Sequence, residues 1–226
     1  MKRCLFALLL FLPLSARAQA KPHGACPFVG FEDDSHGQPN LAEVATKAPA
    51  PTWLACDSPK GCASLTVEPG SPVQIYSTDG EWTCGYSEDR HGAGATWFRS
   101  RDLRPVKFSL DPPMNAWYGV WKGGEDRVVI SPARDGKGLH LKGNAVWHGL
   151  NGNDHFGHIQ GDAAPTGNRL HYVDDGCVVN LTLAGRFILA SDNQGCGGMN
   201  ARFGGFWTRS FASSATKPSP RTTVSR

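Results

Sequence analysis

The stretch of sequence that decides the fold is residues 177–189, CVVNLTLAGRFIL. Within it Cys177, Val179, Leu181 and Leu183 recur at every second position, and Gly185 then marks a turn. An apolar side chain at alternate positions is typical of a β-strand with one buried face. The segment therefore predicts two neighbouring strands joined by a tight turn.

The same alternation continues through residues 114–211, with turn signals spaced by about 8–12 residues. This pattern predicts seven or eight antiparallel strands in one barrel or sandwich. No stretch keeps apolar residues at helical spacing, so almost no helix is expected. Because 40% of the residues are hydrophobic and only 19% are charged, the composition excludes a disordered chain and a long coiled coil.

A smaller β unit is predicted ahead of this barrel, over residues 51–106. Short alternating runs at residues 73–76 and 82–86 are separated by turn signals at residues 68–71 and 78–80. Residues 21–50 are rich in proline and glycine and are expected to be extended and loop-like. Residues 107–113 contain Pro112-Pro113 and are predicted to be a linker, because successive prolines remove donors and stiffen the chain.

The two ends of the chain have the composition of processing and tail segments. Residues 1–20 begin with Met1-Lys2-Arg3, continue with an apolar run and end in small residues at Ala18 and Ala20, which predicts a signal peptide. A run of about 11 apolar residues is shorter than the roughly 20 that a membrane span requires. We therefore expect a periplasmic or secreted bacterial protein without a membrane span. Residues 212–226, rich in Ser, Thr, Pro and Arg, are predicted to be a disordered tail.

Charge gives no indication of a polyanionic partner. The formal net charge is +3, but residues 1–20 contain three basic residues and no acidic one. Loss of the signal peptide therefore leaves basic and acidic residues in equal number. Nucleic-acid binding requires a clustered basic face, so the sequence predicts no nucleic-acid partner.

The predicted mature chain has an even number of cysteines, which in an exported protein indicates three disulfides and no free thiol: Cys26, Cys56, Cys62, Cys84, Cys177 and Cys196. Cys177 and Cys196 are alone in the last hundred residues, so we pair them. Three pairings remain for the other four, with a preference for Cys84 bonded to Cys56 or Cys62. Cys26 is expected to attach the N-terminal segment to the smaller β unit.

The span from Ala63 to Val106 resembles bacterial Src-homology-3-like domains. The resemblance rests on Pro69 to Ile75, Gly80-Glu81-Trp82, Thr96-Trp97-Phe98 and Leu103 to Val106. It implies a small β-barrel and, in exported bacterial proteins, work at the cell wall. Trp82 and Trp97 are predicted to form an aromatic groove for an extended peptide, with one of the two partly exposed.

The second unit resembles calycin or lipocalin-like barrels. Gly119-Val120-Trp121 has the form of the Gly-x-Trp that opens their first strand, and Arg209 falls where their last strand places an arginine over that Trp. The resemblance implies that Gly119, Trp121 and Arg209 close one end of the barrel. It extends to a group of exported bacterial proteins, and some related small barrels are lysozyme inhibitors.

The loop from Asp192 to Asn200 is the most unusual stretch of the second unit. Three glycines within four positions permit backbone geometries closed to other residues. Asp192 and Asn193 are suited to Asx turns, which favours a structural corner. The alternative is a disulfide-pinned binding loop, presented by Asp192, Asn193, Gly197, Gly198 and Asn200.

Histidines form the densest titratable group of the sequence: His148, His155, His158 and His171, with Asp154 beside them. Strand alternation places His148 on the solvent face and puts His155 and His158 on opposite faces. An ordinary polar surface is therefore favoured over a metal site or a proton-transfer role.

These observations predict a non-enzymatic, exported cell-envelope binding protein without a cofactor. Its expected partners are an envelope protein or peptidoglycan, including a lysozyme-type hydrolase that it would inhibit. One alternative is a carrier of small hydrophobic ligands, which requires a closed apolar pocket in the second barrel. Another is a hydrolase or metal enzyme that uses the four histidines, which requires them to converge.

Overall fold

The computed structural model describes residues 24–27, 38–54, 64–89 and 92–210. The signal peptide predicted at residues 1–20 and the tail predicted at residues 212–226 lie outside these residues. The described part is all-β, as predicted, and its only helical elements are three 3-10 turns of three residues each. All strand pairs are antiparallel, and no described helix is long and apolar enough to cross a membrane.

The first unit is a curled seven-stranded sheet in the order β3-β2-β6-β5-β4-β1-β7. Its strands are β1 (Leu41–Val44), β2 (Ala50–Trp53), β3 (Ser64–Val67), β4 (Pro72–Asp79), β5 (Trp82–Asp89), β6 (Gly92–Arg99) and β7 (Leu103–Pro105). Its core contains Val67, Val73 and Phe98. Its first strand, β1, lies within residues 21–50, where the sequence predicted no strand. A strand of four residues is too short to show a periodic pattern.

The second unit is a sheet of nine strands, of which β12 contributes two residues, so that eight form a nearly closed barrel. Its strands are β8 (Gly119–Gly123), β9 (Asp126–Pro132), β10 (Leu139–His148), β11 (Asp154–Ala163), β12 (Pro165–Thr166), β13 (Arg169–Asp174), β14 (Cys177–Ala184), β15 (Phe187–Asp192) and β16 (Gly205–Ser210). At the seam the Gln160 backbone N–H donates to the Tyr172 hydroxyl, 3.2 Å away.

The barrel interior is filled with large side chains. Trp117, Trp121, Phe203 and Trp207 are all inaccessible to solvent and belong to one apolar cluster. Complete burial of an aromatic side chain stabilises a fold by about 2–3 kcal/mol. The space that the carrier alternative requires for a ligand is therefore occupied by the protein's own residues.

The two units pack against each other through a shared apolar cluster. Leu41 and Tyr86 from the first unit contact Phe187 and Phe206 from the second. Phe108, in the linker predicted at residues 107–113, packs into the same cluster. Residues 107–113 therefore lie in part within the apolar interface between the units.

Two disulfides lie within the described residues. Cys177 is bonded to Cys196, as predicted. Cys84 is bonded to Cys26, so the preference for Cys56 or Cys62 as its partner was wrong. Cys26 reaches Cys84 because the segment at residues 24–27 crosses the central strands of the first sheet. Cys56 and Cys62 lie outside the described residues.

Candidate functional site

Trp82 and Trp97 are both buried, so the expectation that one of them is partly exposed was wrong. Their exposed fractions are 4% and 6%. The N-terminal segment covers them, since Cys26 packs into the same cluster and the Trp97 Nε1–H donates to the carbonyl oxygen of Gly24 at 3.1 Å. The predicted aromatic groove is therefore filled by the chain itself.

Trp53 and Arg99 also pack against this aromatic cluster. Trp53 packs edge-on against Trp82, with ring centroids 4.8 Å apart. The Arg99 guanidinium lies 4.6 Å from the Trp82 ring and forms an ion pair with Glu81 at 3.0 Å. Cation–π contacts of this kind contribute about 0.5–2 kcal/mol, so these groups stabilise the first unit.

The side chains of Asp192 and Asn193 hydrogen-bond to backbone groups of the protein itself. Asp192 accepts hydrogen bonds from the backbone N–H groups of Gln194, at 3.0 Å, and Phe203. Asn193 Oδ1 accepts the N–H groups of Val178 and Gly195, both at 3.0 Å. The bonds from Gln194 to Asp192 and from Gly195 to Asn193 span two residues and are Asx-type bonds that hold a turn. The bonds from Phe203 and Val178 attach the loop to the chain on either side of it. Both kinds agree with the structural corner expected from the sequence.

The glycines of this loop allow it to pair with β11. Gly197 forms a β-bridge with Gly157. Two hydrogen bonds of 3.0 Å flank this bridge. In one the His158 N–H donates to the Cys196 carbonyl oxygen, and in the other the Gly198 N–H donates to the Phe156 carbonyl oxygen. A side chain at Gly197 would lie 2.3 Å from the Gly157 Cα. The loop therefore extends the edge of the barrel at its seam.

Beyond this bridge the loop turns outward. Asn200 has a left-handed backbone with φ of 65°, and the preceding Met199 is 71% exposed.

At the barrel end, Arg209 covers Trp121 as the lipocalin resemblance implied. The guanidinium carbon lies 4.7 Å from the indole centroid, and Arg209 Nη2 donates to the carbonyl oxygen of Ala116. Gly119 has a φ of 137°, and a Cβ there would lie 3.6 Å from the aliphatic part of Arg209. The Trp121 side chain beneath this contact is inaccessible to solvent.

The four histidines do not converge. His158 bonds to Asn144 at 2.9 Å and His171 bonds to Asn180 at 2.6 Å, while His155 stacks on Trp147. Among the described residues, no group of three or more His, Cys, Asp or Glu side chains has the arrangement of a metal site. The convergence that the hydrolase or metal-enzyme alternative requires is not found.

His148 lies between two carboxylates at the exposed ends of strands. Its Nε2 is 2.7 Å from Glu125 and its Nδ1 is 2.9 Å from Asp154. Its hydrogen bonds to Glu125, which has the larger effect, and to Asp154 raise the pKa of His148 to about 9. At neutral pH this imidazole is therefore a cation in a surface ion pair.

A cleft between the two units, with a volume of about 370 Å³, was not found by sequence reasoning. The first unit contributes the turn at residues 69–72 and the end of β5, including Glu88 and Asp89. The barrel contributes Lys122, Phe206 and Thr208. These residues come from distant segments, so no local pattern marks the site.

Burial shapes the electrostatics of this cleft. It raises the pKa of Glu88, although the carboxylate also accepts the backbone N–H of Phe206, which lowers that pKa. Burial likewise raises the pKa of nearby Asp126 to about 6, against the hydrogen bond from the Val146 N–H, and the negative charge of Glu88 adds to the rise. Glu88, which lines the cleft, is therefore harder to ionise than an exposed carboxyl group.

A second groove, of about 440 Å³, runs along β3. It is lined largely by small or apolar side chains, including Leu65, Val67 and Ala93, and it shares Asp89 with the cleft between the units. The cleft between the units presents more polar groups of both charges, so we regard it as the better candidate for a binding site.

Comparisons with known proteins return no relative: no family model matches the chain, and no curated protein or solved structure shows significant similarity to it. The residues and their geometry are therefore the basis for inferring a function.

Proposed function

We propose that this protein is an exported binding protein of the bacterial cell envelope. It would act in the periplasm or outside the cell by binding peptidoglycan or a peptidoglycan-degrading enzyme, and it would not transform its ligand. The observation that carries the proposal is the rigid joining of two disulfide-bonded β units. A rigid surface loses little conformational entropy on binding, which favours affinity without catalysis.

Contacts between the units support this rigidity. The Arg186 guanidinium donates to Glu43 Oε2 at 2.6 Å and to the Gly70 carbonyl oxygen at 2.8 Å, so it joins the barrel to the first sheet. Gln38 and Asn168 form a second polar link, with the Asn168 amide donating to Gln38 Oε1 at 3.1 Å. Both links flank the apolar interface and oppose rotation of one unit against the other.

The chemistry of the compartment supports export. Disulfides form and persist in oxidising environments, and the two described here connect residues 58 and 19 positions apart. The predicted signal peptide at residues 1–20 would deliver the chain to such a compartment.

The proposal is tested with the full chain, produced with its own leader and recovered from the cell envelope. The recovered protein should sediment with purified peptidoglycan sacculi in a saturable manner, or inhibit a lysozyme-type hydrolase in a sacculus-clearing assay. Cellulose of equal mass serves as the control polymer. Equal sedimentation with both polymers, together with unchanged hydrolase rates, would refute the proposal.

A further inference from the structure

We propose that the cleft between the two β units binds a short, hydroxyl-rich glycan segment without net charge. This assignment rests on the envelope-binding function proposed above and names the part of the envelope polymer that the protein holds.

The cleft is formed in advance because contacts between the units fix both of its walls. On one side, Arg186 binds the carbonyl oxygen of Gly70, within the turn that lines the cleft. On the other side, the Glu88 carboxylate accepts the N–H of Phe206. Beneath them the rings of Tyr86 and Phe206 pack 6.1 Å apart. A preformed site of about 370 Å³ falls within the range of roughly 300–1,000 Å³ that small-ligand sites occupy.

Charges on the two walls favour a neutral ligand. Glu88 and Asp89 lie on the wall from the first unit, whereas Lys122 lies on the wall from the barrel. The two carboxylates oppose an anionic ligand, and the ammonium group opposes a cationic one. A ligand without net charge avoids both repulsions and can still hydrogen-bond to groups of either sign.

Hydroxyl groups match the donors and acceptors that line the walls. Sugar hydroxyls can donate to the Glu88 and Asp89 carboxylates and accept from the Lys122 ammonium and the Thr208 hydroxyl. The exposed Pro69 presents apolar surface on the same cleft, against which the C–H face of a sugar ring can pack.

The test uses chitotetraose, an uncharged oligomer of N-acetylglucosamine, as the probe in titration calorimetry and amide chemical-shift mapping. The substitution Lys122→Met removes a cleft donor, and Lys142→Met is its control, because both lysines are exposed on strands of the barrel. Lys122→Met should weaken binding by about tenfold or more, the usual effect of losing one charged hydrogen bond. Lys142→Met should change affinity by less than about twofold, and shifted amides should cluster at residues 70–71, 122–124 and 206–208.

The outcomes separate this site from the broader function. If chitotetraose binds equally well to both variants, or if it does not bind while sacculi still sediment the protein, the cleft assignment is wrong and the envelope function stands. If sacculi also fail to bind and no hydrolase is inhibited, the broader function fails as well. Cleft shifts caused by an Ala-Glu-Lys-Ala tetrapeptide, and none by the oligosaccharide, would overturn the glycan assignment in favour of a peptide.

Discussion

Replacing Gly197 with alanine should detach the 192–200 loop from the edge of the barrel. The added Cβ would lie 2.3 Å from the Gly157 Cα and 2.5 Å from the Phe156 carbonyl oxygen. Both contacts are with backbone, which cannot rotate away as the end of a long side chain can. The loop and β11 would therefore have to separate.

Separation breaks the two hydrogen bonds that flank the bridge, from the His158 N–H to Cys196 and from the Gly198 N–H to Phe156, each 3.0 Å long. At about 1 kcal/mol each, their loss should lower the free energy of unfolding by about 2 kcal/mol. For a chain of this size the melting temperature should fall by about 4–8 °C.

Urea unfolding followed by circular dichroism measures this loss, and hydrogen exchange at the two amides locates it. Gly204→Ala is the matched control in the same connection, because its nearest neighbour would be the Ala190 carbonyl oxygen at 3.7 Å, an ordinary contact. The control should stay within about 0.5 kcal/mol of the parent protein. The reasoning would be refuted if Gly197→Ala matched that control and both amides stayed protected.

Two further predictions concern charge and covalent links. Asp126 has a folded pKa of about 6, above its ordinary 3.8, so the parent protein should lose stability as pH rises from about 4 to 6. Asp126→Asn should flatten that slope, leaving the part that the raised pKa of Glu88 contributes. It should also raise the free energy of unfolding by about 1 kcal/mol above pH 6, an amount reduced because the carboxyl is partly exposed. A slope unchanged in urea titrations at several pH values would contradict this. Replacing Cys26 and Cys84 with serine should cost about 4 kcal/mol, and replacing Cys177 and Cys196 about 3 kcal/mol, since the loops close over 58 and 19 residues. A reversed order in urea unfolding would show that loop length does not govern these two bonds.

Burial in the large barrel follows the alternation read from its sequence. In β14, Cys177, Val179, Leu181 and Leu183 are all buried, while Val178 between the first two is not. The faces of a strand are set by backbone geometry, which turns successive side chains to opposite sides. Period-two patterns therefore predict burial without knowledge of the partner strand.

Burial in the first unit could not be predicted in the same way. Trp82 and Trp97 both lie in strands, and one of them was expected to be partly exposed, yet residues 24–27 cover both. The covering segment has no periodicity of its own, and its position depends on a bond to a cysteine 58 residues away. No property of the neighbouring residues signals such a contact.

The sequence alone determined the all-β class, the inward and outward faces of the barrel strands and the short Cys177–Cys196 link, because each depends on residues close together in the chain. Only the tertiary structure decided the Cys26–Cys84 pairing, the covering of the aromatic cluster and the cleft between Glu88 and Lys122. These features join segments far apart in the chain, and their formation depends on how complete sheets pack against one another.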